Sequence, residues 1–320
     1  MMFFASVQAM HIPDGFLSLA IALVSWFLAV VFVLMAIRNS QKSFDEKLVP
    51  LAGIIAAFIF AGQMINFPVA GGTSGHFIGA ALATVVLGPW LGILVMTAVI
   101  ALQALLFQDG GLIVMGANIL AMGVTPALIS YGLFRAVAKR NRRIQMLTVA
   151  GGAWLSVMGG ALLVSLLLGF SGTSSFRIVV PAMLGIHALI GIGEALITVA
   201  AFSFILNARP QLLESSAKAG GRGWVIGGIA ITLLVILLSP FASGFPDGLE
   251  WVAEENGFLH TAVAAPFQLL PDYTIPSLGE TGLSTIAAGV IGALLVAGIA
   301  FGIARSLHGR NPDKPMKTGD

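Results

Sequence analysis

The residues of this 320-residue chain with the most chemical capability are its 5 histidines, because cysteine is absent. Without thiolates there are no disulfides, iron–sulfur clusters or cysteine nucleophiles, and any metal must be held by nitrogen, oxygen or thioether donors. His11 lies in Met10-His11-Ile12-Pro13-Asp14-Gly15-Phe16-Leu17. If Met10 is the true N-terminus, its α-amine, the His11 amide nitrogen and the His11 Nδ1 can chelate one metal through two adjacent small rings. Three coplanar nitrogens leave one corner of a square vacant. Square-planar nitrogen coordination suits Ni(II) or Cu(II), and an imidazole is a fitting fourth donor. His76 could supply it, at the end of the uncharged segment Asn66–His76 with Pro68, Gly71, Gly72 and Gly75. An ordinary loop entering a helix, with an interfacial histidine, accounts for the same residues.

The remaining histidines are less specific. His187 and Glu194 are two helical turns apart, on one face and about 10 Å from each other along a helix. Ionisable residues inside an apolar run are costly unless partnered, which makes both candidates for a functional or coupling role. A structural hydrogen bond to a neighbouring helix is the plainer explanation, with a supporting rather than ligating role for His187. His260 lies in an acidic stretch, as a surface residue or a weak metal collector. His308 lies in a basic tail.

These side chains must be positioned by apolar helices. The chain is 58% hydrophobic and 9% charged, with a mean hydropathy of +0.98, far from the roughly one-quarter charged residues of soluble domains. Spans of about 20 apolar residues cross a bilayer. Nine can be drawn, at 15–37, 49–65, 77–88, 90–107, 113–134, 146–170, 179–206, 223–240 and 283–304, the third and fourth so close that either could be short or re-entrant. With the N-terminus outside, the segments 38–48, 135–145, 207–222 and 305–320 fall inside and hold every Lys and Arg except Arg177. The outer segment 241–282 has no Lys or Arg but carries Asp247, Glu250, Glu254, Glu255, Asp272 and Glu280. This sorting predicts an all-α integral protein of the cell membrane, N-terminus outside and C-terminus cytoplasmic. The net charge of +2 is distributed by side and does not form a nucleic-acid surface. The polar stretch 207–222 reads as a cytoplasmic linker between a seven-span unit at 10–206 and a two-span unit at 223–320.

Several of these segments resemble one family. Met10–Leu17, Gln63–Val69 leading to Gly71–His76, Asp109-Gly110-Gly111 with Gly116-Ala117-Asn118, and His187 with Gly191–Thr198 are similar in type and order to the CbiM/NikM proteins. These are substrate-capture components of energy-coupling-factor transporters for cobalt and nickel. Ser239–Ser243 and Pro246–Trp251 resemble the small NikN-like or PDGLE accessory component, here fused to the capture unit. The resemblance implies metal ligation by Met10, His11 and His76, with Asp14, Asn66, His187 and Glu194 in support or coupling. It implies no cofactor and no enzymatic activity. The transported substrate would be Ni(II), preferred over Co(II), and the partners an energising transmembrane subunit with ABC ATPases. The chain itself has no G-x-x-x-x-G-K-[ST] phosphate loop. Met1–Ala9 precede the motif, which the family places at the N-terminus. Either translation starts at Met10, or the first nine residues are removed, or an intact extension blocks the amine. A rival reading is a proton-coupled secondary transporter working through His187 and Glu194. Such transporters are commonly built from repeated halves with broken helices, and no repeat stands out here.

Overall fold

The computed structural model describes residues 10–42, 46, 48–208 and 223–308. The expected leader 1–9, most of the linker and the C-terminal tail lie outside the described residues. The helices are α1 (Leu19–Lys42), α2 (Leu48–Gln63), α3 (Ala80–Leu87), α4 (Pro89–Leu102), α5 (Met115–Asn118), α6 (Thr125–Val137), α7 (Arg142–Ser171), α8 (Phe176–Ala208), α9 (Gly223–Leu238), α10 (Gly248–Glu255) and α11 (Gly282–His308). Strands β1 (Asn66–Val69) and β2 (Thr73–His76) form one antiparallel hairpin with Asn66 opposite His76.

Seven helices among the described residues are long and apolar enough to cross a membrane, and the 16-residue α2 is a shorter apolar helix. The protein is thus a multi-pass helical membrane protein. The expected span 77–88 is not one continuous helix, although its end at Gly88 and Pro89 lies beside Ser40, Leu48 and Leu307, away from His76. It contains the 8-residue α3, which reaches about 12 Å at 1.5 Å per residue. Phe77, Ile78 and Gly79 precede that helix in non-helical backbone, and Gly88, at φ 82°, breaks it from α4 before Pro89. The chain enters this layer as a hairpin because glycine and proline fill Pro68 to Gly79.

Burial sorts the helices into shells. The most apolar 18-residue windows of Pro89–Phe107 and Met115–Val137 are each 67% buried, against 22% for α1 and 17% for the window in Gly223–Phe241. The outer face of α1 exposes Leu23, Val24, Phe27 and Val30, a contiguous apolar surface that suits lipid and not water. α7 packs along α8, and both α9 and α11 pack against α2, so the two C-terminal long helices are docked on the first unit. Small residues permit that docking: the Gly53 backbone lies so near α11 that a β-carbon there would sit 3.1 Å from the Ala297 carbonyl oxygen.

Two of the central helices are locally unwound into π-turns, at Gln103–Phe107 after α4 and at Ile119–Val124 between α5 and α6. Such turns often mark functional positions. Here they flank the loop Gln108–Val114, which meets the segment Met10–Ser18.

Candidate metal site

Residues 10–18 are threaded into the centre of the molecule and are held on several sides. Ile12 is clamped by Asn118, whose Oδ1 accepts from Ile12 N at 3.0 Å and whose Nδ2 donates to Ile12 O at 3.1 Å. The Gly111 amide donates to the same Ile12 carbonyl at 2.9 Å. Asp14 acts as an anchor: its carboxylate accepts from the amides of Leu112 (3.1 Å), Ile113 (2.9 Å) and Val114 (3.2 Å). A carboxylate receiving several amide hydrogens is well satisfied despite burial. From the other side Val263 N donates to Asp14 O at 2.7 Å, and Thr173 donates to Phe16 O at 2.5 Å.

The hairpin brings His76 to this segment. Its Nε2 stands 3.2 Å from Met10 O, and its ring meets the His11 ring edge-on at 5.6 Å between centroids. Met10, His11 and His76 thus converge. The hairpin is held in turn by Glu194 on α8, whose carboxylate accepts from Ile78 N at 2.6 Å and Gly79 N at 2.9 Å. Glu194 is fully buried and supplies the negative charge and acceptors that the start of α3 lacks. It does not pair with His187, whose Nδ1 lies 2.8 Å from the Met183 carbonyl one turn earlier on α8. Asn66 belongs to the same hairpin, and its carbonyl accepts from Ser243 N at 2.8 Å.

His11 is 2% exposed. In this conformation its Nδ1 faces Asp109, 3.1 Å from the backbone carbonyl and 3.0 Å from Oδ1, while Nε2 is buried without a hydrogen-bond partner. The nitrogen expected in the chelate is therefore turned toward a carboxylate in this conformation. Tyr273 donates to Asp109 Oδ2 at 2.6 Å, and Gln103 Nε2 donates to the Tyr273 oxygen at 3.0 Å. Phe107 stacks on Tyr273 at 4.7 Å and fixes its ring.

The electrostatics follow from this pairing. Burial opposes a charged His11, but the Asp109 charge and its hydrogen bonds outweigh it and raise the imidazole above its ordinary value. Burial likewise opposes a charged Asp109, and the His11 charge with the His11 and Tyr273 hydrogen bonds brings that carboxyl below its usual range. His76 has no such partner: burial, then the nearby His11, push it down to about 4, so its imidazole is neutral and able to coordinate. Among the described residues no three His, Asp or Glu side chains group as a metal site. Side chains alone do not furnish a full donor set, and backbone nitrogens would have to complete it.

The accessory segment after α9 closes the site. Ser74 N donates to Pro246 O at 2.8 Å, and the Ser74 hydroxyl donates to Phe245 O at 2.8 Å. Asp247 caps α10, accepting from Glu250 N at 2.7 Å, and burial raises its carboxyl to about 7. Gly248 is seated against α8, where an added β-carbon would lie 2.7 Å from Ile190 and 3.0 Å from His187. That close approach is why the Asp247-Gly248-Leu249 turn needs glycine.

Asp109, Asn118 and Tyr273 are the site-building residues to which the sequence assigned no role. Asp109 carried two signals, its place in the family-like Asp109-Gly110-Gly111 and its being a lone carboxylate directly after the charge-free run 77–108, and Asn118 carried one in Gly116-Ala117-Asn118. Tyr273 carried none, because its partner is 164 residues away.

Comparison with known proteins gives this arrangement a family. Residues 11–212 match the cobalt uptake substrate-specific transmembrane region, CbiM, and residues 222–309 match the PDGLE domain. A putative fused nickel transport protein NikMN of Archaeoglobus fulgidus is 35% identical over 301 residues, covering 92% of this chain and 98% of that protein. A probable fused nickel transport protein LarMN of Lactiplantibacillus plantarum is 33% identical, covering 93% of this chain and all of that protein (100%). A solved structure described as a truncated transition metal transporter superimposes with a TM-score of 0.56 at 34% identity, covering 62% of this chain and 98% of that one. The chain is a metal-transport component rather than an enzyme, and it belongs to the CbiM family, with a PDGLE domain on the same polypeptide.

Proposed function

We propose that this protein captures Ni(II), in preference to Co(II), at the Met10 amine, the amide nitrogen and Nδ1 of His11, and a ring nitrogen of His76. The observation that carries this reading is the convergence of those three residues, with His76 Nε2 3.2 Å from Met10 O and the two imidazoles 5.6 Å apart. A planar four-nitrogen set favours nickel, and both fused relatives are named as nickel transport proteins. Binding turns the His11 side chain so that Nδ1 leaves Asp109. Nε2–H is then the ring donor left for that carboxylate, which orients a ligating imidazole as carboxylates do around metal-bound histidines. Asp14, Asn66 and Glu194 position the two segments that carry the ligands. The N-terminus faces outside and the C-terminus the cytoplasm, as the distribution of Lys and Arg supports. Import is driven by separate ABC ATPases acting through an energising transmembrane subunit.

The chelate requires a free amine on Met10, so the mature chain begins there. Intact-mass analysis of the purified protein, combined with calorimetric titration of Ni(II), tests both points. His11→Ala should abolish binding and His76→Ala should weaken it. A metal-loaded chain that retains residues 1–9, or unchanged binding in both variants, would rule out this site.

A further inference from the structure

One histidine in the membrane layer remains outside the proposed chelate. His187 faces a small cavity, about 60 Å³, between the metal site and α8. Met10, His11, His76, Met122, Met183 and His187 all contribute to its wall. A buried water needs about 10–15 Å³ of such space, so the cavity has room for a cation with a few water-sized partners.

The His187 ring is prepared for ligation. Its Nδ1 is 2.8 Å from the Met183 carbonyl oxygen, which can only accept. The proton therefore sits on Nδ1, and Nε2 keeps its lone pair. A hydrogen bond from the other ring nitrogen to a carbonyl is the arrangement that fixes a metal-binding tautomer. Among the described residues nothing bonds Nε2. The accessory unit also packs against the ring at Cε1, between its two nitrogens, where the Gly248 backbone leaves no room for a side chain. Met122 and Met183 add polarizable thioether donors to an otherwise apolar wall.

We propose that His187 Nε2, flanked by the Met122 and Met183 thioethers, forms a second station for the transition-metal cation, which receives it when the Met10, His11 and His76 nitrogens let go. This rests on the capture site proposed above. One imidazole with thioethers must bind more weakly than a four-nitrogen chelate. Weakness is what a relay position needs, because an ion has to leave it again. The same geometry gives the PDGLE unit a direct hold on the station through Gly248.

The test uses the full chain in detergent or nanodiscs, with NiCl2 as the probe, followed by calorimetry and X-ray absorption. The wild type should bind a tight first equivalent and a second one weaker by about 100-fold or more, as loss of nitrogen donors implies. Above one equivalent a sulfur shell should appear around nickel. His187→Gln should remove the second equivalent and keep the first. Met122→Leu with Met183→Leu, which keeps volume, should remove the sulfur shell, and Gly248→Ala should weaken the second equivalent by displacing the ring. A second equivalent unchanged in His187→Gln, or a wild type that binds one ion only, overturns the proposal. So does a folded His187→Gln protein that loses the first equivalent, because His187 would then belong to the capture site. If His187→Gln does not fold, the methionine pair decides: a sulfur shell that persists there overturns the proposal. Failure of the capture reading shows separately, as a first equivalent indifferent to His11→Ala and His76→Ala.

Discussion

Asp109 illustrates how much of the site depends on one side chain that is not itself a proposed ligand. It faces His11 through Oδ1 at 3.0 Å and takes the Tyr273 hydroxyl hydrogen on Oδ2 at 2.6 Å. In the metal-free chain it holds the ring away from the chelating posture, and in the proposed loaded state it steadies the turned ring. Removal of such an orienting carboxylate costs about 10- to 100-fold in metal affinity. Asp109→Ala should therefore weaken Ni(II) binding by that order in calorimetry, with Tyr273→Phe following in the same direction but less. An unchanged affinity in Asp109→Ala would show that the carboxylate only fills space. His11 and His76 stood out in the sequence as candidates because a Met-His pair before Ile-Pro-Asp-Gly and a glycine-rich approach are unusual patterns. The motif around Asp109 was noticed but its role was not legible, because a carboxylate at a span end has many ordinary uses and its partner Tyr273 comes from the other unit of the chain.

At the scale of elements, the β-hairpin and α3 depart most from what the sequence suggested. The run 77–88 is apolar enough to pass for one continuous helix, and hydropathy does not register that Gly79 delays its start and Gly88 breaks it from α4. Pro68, Gly71, Gly72 and Gly75 were the signal for irregular backbone, and strand pairing satisfies it there. Non-helical backbone at membrane depth survives only when protein covers it, which Glu194 and the Pro246 carbonyl do. Glu194→Ala leaves two buried amides unpaired, at about 1–3 kcal/mol each, so the detergent-solubilised protein should melt at a lower temperature and bind Ni(II) less tightly. Glu194→Gln, which keeps one acceptor, should fall between. An Ala variant with wild-type melting would remove Glu194 from the support of His76.

The turn that covers the hairpin carries its own pH dependence. Asp247 titrates near 7 because burial favours its neutral form. A carboxyl raised in the folded state stabilises the docked turn while protonated, fully so below its unfolded pKa, and that contribution is lost as pH rises through about 7. Asp247→Asn keeps the capping oxygen without the ionisation. Hydrogen exchange of the α10 amides should quicken between about pH 6 and 8 in the wild type, and less in Asp247→Asn. Glu250, also raised to about 7 by burial, leaves a smaller slope. Equal slopes in the two proteins would place the pH response elsewhere.

For the whole molecule, the helical class and membrane residence were written in composition and charge spacing, since those depend on sums over many residues. What could not be read was how the C-terminal unit sits on the rest. Pattern places α9 and α11 in the membrane, but not the segment between them on the ligand-bearing hairpin. That docking depends on single contacts such as Ser74 to Phe245 and Asp14 to Val263, each linking residues far apart in sequence. The long segment that reads as a loop is a lid.

The lid's charge has a kinetic consequence. Glu254, Glu255, Asp272 and Glu280 are exposed on it, and 241–282 contains no Lys or Arg to offset them. A field of one sign concentrates counter-ions near it, so divalent cations gather at this acidic surface. A divalent cation feels that field twice as strongly as a monovalent one, so screening acts mainly on its arrival. The association rate of Ni(II) in stopped-flow measurements should fall as salt rises from 0.01 to 0.15 M, where the screening length shrinks from about 30 to 8 Å, while the dissociation rate stays nearly constant. Neutralising Glu254, Glu255, Asp272 and Glu280 to glutamine or asparagine should flatten that dependence. An association rate indifferent to salt in the native chain would mean that the acidic surface plays no part in collecting the metal.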